Sequence, residues 1–216
     1  MRAAAVQPTA PELAPDLPDG RTEALAHDLR LSEMRLAGAK LSDQVARGVT
    51  FRAMSIFDVD LSGSRLEHMR ILDTVIEQCN LANIHARGAS LDRVLIRNCR
   101  LTGIELAESS LADVVFENCR MDLASLRACR LARVRFDDCM LAQTDFLDAQ
   151  LESVRLDDCD LSGGDLRGAR MRHCELRRVE LSGLHGVQSL RGAAMDWSDI
   201  LASAGVLAAA LARILQ

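Results

Sequence analysis

The residues best equipped for chemistry in this 216-residue chain are its seven cysteines, Cys79, Cys99, Cys119, Cys129, Cys139, Cys159 and Cys174. Five of them, Cys79 to Cys159, recur at steps of twenty. A column of thiols suggests a metal chain or a redox relay, because the thiolate is both a soft ligand and a nucleophile. A metal centre would need complementary ligands, and the five histidines, His27, His68, His85, His173 and His185, are scattered with no metal-ligand spacing among them. Free cysteine also packs as a small hydrophobe, and all seven fall in one slot of a repeat, which favours packing. No catalytic, cofactor-binding or metal-ligating residue is assigned. The odd thiol count, without an export signal, predicts a reducing cytoplasm.

The second candidates are acids. Glu117, Asp137, Asp138, Asp157 and Asp158 are predicted to project from one face in two columns, a candidate patch for a basic protein partner. Like charges about 4.8 Å apart repel by about 0.9 kcal/mol even in water. Arg135 and Arg155 share that face, and Arg97 and the pair Arg177-Arg178 interrupt it, so a solvated mixed-charge wall is the simpler expectation. With 31 acids, 26 bases and a net charge of -5, no basic face for direct nucleic-acid binding is expected. No glycine-rich loop suited to phosphate is present.

What positions these groups is a period of five. From Leu31 to Leu181, the 31 residues at steps of five are 19 Leu, four Phe, four Ile, two Met and two Ala, and none is charged. Two residues before each of these centres the side chains are small or apolar, Gln44 excepted, and here lie all seven cysteines. Neither a helical period of 3.6 nor a strand period of 2 holds over this length. Five residues must therefore make one side of a coil, two facing in and three facing out. Eight of the thirteen glycines fall two residues after a centre, where a corner needs unusual backbone angles. The segment Val75 to Cys79 recurs as variants at Leu95 to Cys99, Val115 to Cys119, Arg135 to Cys139 and Arg155 to Cys159, so four sides close one coil. With so little aromatic content, 3% of the chain, aliphatic residues must fill the interior.

The triplets Ala39-Lys40-Leu41, Cys79-Asn80-Leu81 and Ala149-Gln150-Leu151, repeated through residues 29–181, resemble the pentapeptide-repeat family. The resemblance implies an all-β solenoid, a right-handed quadrilateral β-helix. It also implies a protein partner, with DNA gyrase as the target of those members that mimic DNA and protect the enzyme from quinolones or toxins. Over residues 31–182 the 24 acids and 21 bases leave a net charge of only -3, whereas a surface copying duplex DNA needs about one negative charge per 1.7 Å.

The expected organisation is a flexible Pro-rich tail over residues 1–22, the β-helix over 23–182 and a capping segment with a helix over 183–216. The stretch from Ile200 to Leu215 is too short and too alanine-rich to span a bilayer. A helix starting at Ser198 or Asp199 places Leu201, Leu207, Leu211 and Leu215 on an apolar stripe, with Trp197 plugging the last coil. That stripe closes the core or meets its copy in a homodimer. The functional expectation is a non-enzymatic, rigid protein-protein interaction scaffold without a cofactor, the alternative being a DNA-mimic regulator of gyrase.

Overall fold

An apolar residue at every fifth position stays buried only if the chain turns a corner after each one. In the computed structural model, which describes residues 5–205 and residue 208, it does so without exception from Asp28 to Gly183. At each position two beyond a centre φ lies between 47° and 71°, at 24 residues with side chains and at eight glycines. The left-handed region tolerates Asp and Asn best among residues with a Cβ, and Asp28, Asp43, Asp58, Asp73, Asn83 and Asn98 are examples here. No β-branched residue occupies a corner. Along the rod corner N–H groups donate to the next coil, as in Asp43 N–H to the Ser62 carbonyl at 2.8 Å and Asp138 N–H to the Asp157 carbonyl at 3.0 Å.

Four walls result, all paired in parallel at a register of twenty. The second wall shows it best, with Ile76, Ile96, Phe116, Phe136, Leu156 and Leu176 in one column. The first wall carries Ile71, Leu91, Leu111 and Leu131 in the same way. In mid-rod one strand crosses both walls through their common corner: Arg70–Glu77, Ser90–Arg97, Ser110–Glu117 and Arg130–Asp137. The third and fourth walls are held by single bridges, such as Asn80 with Arg100 and His85 with Glu105.

The centres and the small slot before them form one continuous core. The rings of Phe116 and Phe136 stack with centroids 4.9 Å apart and planes 3° from parallel. An interior void of about 30 Å³ beside Ile76, Ile96 and Phe116 is lined by apolar side chains alone, so it offers a water no hydrogen-bond partners.

Both ends of the second wall are covered by an added strand. Asp19–Gly20 pairs with Arg35–Ala37 at one end, and Ala193–Met195 pairs with Cys174–Arg177 at the other. A 3-10 turn, Val187–Leu190, follows the last coil, and Val187, Leu190 and Met195 pack against the core. The plug expected at Trp197 is therefore supplied earlier in the chain. Trp197 opens a short helix, Trp197–Ala202, and is 72% exposed, with Leu201 60% exposed. The added strand takes up the open sheet edge before the chain reaches the tryptophan, so the helix lies outside the coil. The carboxylate of Asp199 tethers it by accepting the Arg178 backbone N–H at 3.0 Å. Leu207, Leu211 and Leu215 lie outside the described residues.

Candidate interaction surface

The second wall brings the five predicted acids together and pairs most of them. Arg135 reaches Glu117 at 3.0 Å and Asp137 at 2.7 Å. Asp157 is held between Arg155 and Arg178, and Arg178 also meets Asp158 at 2.6 Å. One coil column on, Arg97 meets Glu77 at 2.8 Å and Arg177 meets Glu175 at 3.0 Å. The Arg178 guanidinium holds the Asp158 carboxyl below its ordinary value, whereas burial pushes Asp137 up against the pull of Arg135. Asp138 stays exposed at the corner with no basic partner among the described residues. The wall is thus a cross-linked mixed-charge surface.

The cysteines are all buried and unpaired. Each thiol donates to a backbone carbonyl 23 residues earlier, as Cys79 does to Ile56 at 3.7 Å, Cys139 to Phe116 at 3.5 Å and Cys129 to Leu106 at 2.8 Å. Ser64, Ser109 and Thr144 occupy the same slot and make the same bond, to Leu41, Ala86 and Met121. The slot therefore accepts a small donor, which bonds the carbonyl of a centre one coil back, as readily as the apolar side chains that fill its other positions. Among the described residues no group of three His, Cys, Asp or Glu could hold a metal ion.

A feature that sequence reasoning missed lies at the corner between the first and second walls. The Pro-rich segment expected as a free tail runs back along the rod in extended form. Ala5 N–H donates to Glu175 Oε1 at 3.1 Å, Thr9 N–H to Asp113 Oδ1 at 2.9 Å and Glu12 N–H to Asp73 Oδ1 at 3.4 Å. The Pro18 carbonyl then accepts Arg35 N–H at 2.8 Å as the segment joins the sheet. The three acceptors come from three different coils. The signal available in the sequence was the three-residue spacing of Pro8 and Pro11 beside aspartates forty residues apart.

A repeat of five residues thus closes four parallel walls around one continuous apolar core. Residues 109–185 match the family described as Pentapeptide repeat region, and residues 89–127 match Pentapeptide repeats (8 copies). The chain is a pentapeptide-repeat protein. No curated protein matches its sequence. Solved structures similar to this pentapeptide-repeat chain include HetL, a pentapeptide repeat protein involved in heterocyst differentiation regulation from the cyanobacterium Nostoc sp. strain PCC 7120. It is 20% identical over 78% of this chain and 90% of that one, with a TM-score of 0.41. Full-length QnrB1, a plasmid-mediated fluoroquinolone resistance protein, is 18% identical over 82% and 99%, with a TM-score of 0.24. Rfr23 from the cyanobacterium Cyanothece 51142 is 20% identical over 57% and 88%, with a TM-score of 0.26.

Proposed function

We propose that this pentapeptide-repeat protein is a non-enzymatic scaffold that binds a protein partner on its second wall, in a reducing compartment. The observation that carries the reading is the Arg135, Arg155 and Arg178 network. It fixes charges of both signs at strand spacing on a rod whose interior is filled. A rigid surface of alternating charge recognises a partner by register and costs little ordering entropy on binding. The exposed corner acids Asp138 and Asp158 give that surface its outward negative edge.

A DNA-mimic role toward gyrase asks for an uninterrupted acidic face. Here arginines pair with Glu117, Asp137, Asp157 and Asp158, which weighs against that role. The exposed Trp197 and Leu201 supply the apolar surface through which two copies meet in this reading.

The test is affinity capture with the full chain and with Asp138→Lys/Asp158→Lys, circular dichroism verifying the fold of both. A partner retained by the wild type and lost by the variant is expected; identical retention by both sinks the reading. A supercoiling assay with purified gyrase, with and without a quinolone, is expected to show neither inhibition nor protection at micromolar protein. Sedimentation across a concentration series, with Trp197→Ser/Leu201→Ser as the comparison, tests the pairing of copies.

A further inference from the structure

The corner that carries residues 5–12 has the features of a peptide site. On the rod it presents Asp73, Arg93, Asp113 and Arg133, one residue per coil with sign alternating. Arg93 clamps Asp73 at 2.5 and 2.7 Å, and Arg133 clamps Asp113 at 2.8 and 2.6 Å. Each clamped carboxylate still offers an oxygen to a passing backbone N–H, and Thr9 and Glu12 supply one each.

The spacing explains why this segment fits. The acceptors of Glu12 and Thr9, Asp73 and Asp113, lie two coils apart, about 9.6 Å at ordinary strand spacing, while Ala5, four residues before Thr9, reaches Glu175 on the second wall three coils further on. Three residues of polyproline II helix advance about 9.3 Å. A chain in that conformation therefore returns the same face to the corner every third residue, in step with every second coil. Burial follows that beat: Ala5, Pro8 and Pro11 are half-buried, while Val6, Gln7, Thr9, Ala10 and Glu12 are exposed. The residue after each proline supplies the N–H that proline lacks.

The cover is visible from the rod as well. At the corner between the second and third walls, Gln78, Asn98, Asn118, Asp138 and Asp158 are all exposed. At the strapped corner the equivalent Asp113 and Ser153 are 7% and 6% exposed. Yet little holds the strap, for its inward residues are only half-buried and its bonds to the rod are single backbone donors. The rod's own core does not depend on it.

We propose that this corner is a docking groove for a proline-rich segment of a partner protein, of the form Pro-x-x-Pro-acid, and that residues 5–12 occupy it as an exchangeable ligand in cis. The acid is that of the resident segment, Glu12, whose N–H donates to Asp73 where Arg93 clamps the same carboxylate. The groove reads proline spacing and backbone donors, which a partner peptide of the same form presents equally well. This deepens the scaffold reading and rests on it for the partner being a protein.

The test uses a labelled synthetic peptide with the sequence of residues 5–14. It is titrated by fluorescence anisotropy into the full chain, into Pro8→Gly/Pro11→Gly, and into that variant with Asp73→Asn/Asp113→Asn added. A tethered strap competes at millimolar effective concentration, so the glycine variant is expected to bind the peptide at least about tenfold more tightly than the wild type. The asparagine changes are expected to abolish the gain, with circular dichroism unchanged. A peptide with its second proline moved one residue along is expected not to bind. Equal binding to all three proteins, or none up to millimolar peptide, overturns the groove. Either result leaves the second-wall capture experiment standing, so the two readings fail separately. Amide exchange supplies an arm independent of variants: Thr9 and Glu12 slowed relative to Ala10 in the wild type supports the seated strap, and equal rates overturn it.

Discussion

The thiol of Cys129 donates to the carbonyl of Leu106 at 2.8 Å, across a corner and one coil back. Since Ser109 makes the same bond to Ala86, a hydroxyl serves the slot as well as a thiol. Cys129→Ser is therefore expected to keep stability within about 1 kcal/mol of the wild type. Cys129→Ala removes the thiol's bond, leaving the Leu106 carbonyl only the Ser109 backbone N–H at 3.1 Å, and empties part of the slot; it is expected to cost about 1–2 kcal/mol. Midpoints of urea unfolding for the two variants decide the order, and equal losses would show that only volume matters.

Burial pushes the Cys129 thiol up to about 11, and the neighbouring Cys119 and Cys159 thiols together with burial push Cys139 well above the ordinary thiol range. At pH 8 the thiolate fraction of Cys129 is about one part in a thousand, and the reagent has no path to it. Native protein is expected to show no rapid reaction with a thiol reagent, and denatured protein seven equivalents. Fast labelling of even one native thiol would reopen the redox reading of the ladder.

The periods of five and twenty were legible because each coil repeats one packing problem. Leu, Phe and Ile at the centres and a small residue before them leave no other way to exclude charge from every fifth position. The corners were half legible. Eight glycines marked them, but Leu123, Arg133 and His173 adopt the same left-handed backbone, because the hydrogen bond to the next coil and the buried centres outweigh the local cost of order 1–2 kcal/mol. The acid columns were legible together with their arginines, since register alone places both. The strap was not. Its bonds run from Thr9 to Asp113 and from Glu12 to Asp73, pairs with no repeat relation between them, and only the match between two periods connects them. Trp197 misled for a related reason: a lone tryptophan near an open end suggests a plug, but Val187 and Leu190 had already covered the core.

That exposure has its own consequence. Trp197→Ala removes a side chain that is 72% exposed, and exposed substitutions usually change stability by less than about 0.5 kcal/mol. Dilute wild-type protein is expected to emit at the wavelength of a solvated indole and to be quenched by iodide. A blue-shifted, unquenched emission at low concentration would place the ring in the core after all.

Phe116 and Phe136 stack in mid-rod with no measurable exposure. Phe136→Ala is expected to cost about 3–5 kcal/mol. In a solenoid each coil contacts only its neighbours, so the loss should be local. Hydrogen exchange is expected to accelerate in the coils around Phe116 and Leu156 and to remain unchanged near Leu36. Uniform acceleration along the chain would mean that the rod unfolds as one unit.

Asp113 links the strap to pH. Its carboxyl lies below the ordinary value of 3.8, chiefly through Arg133, with the Thr9 backbone N–H adding to the effect and burial opposing it. A depressed folded value means that the carboxylate's contribution is complete above the ordinary value and is lost as pH falls through the lower one. The protection factor of the Thr9 amide is therefore expected to be flat from pH 7 to about 4 and to fall below that. In Asp113→Asn it should start lower and show no such fall, because the amide cannot titrate. The Ile96 amide, deep in the ladder between Ile76 and Phe116, serves as the reference for the rod itself. If Thr9 and Ile96 lost protection together, acid would be unfolding the coils; if Thr9 alone did so, acid would be lifting the strap from an intact corner.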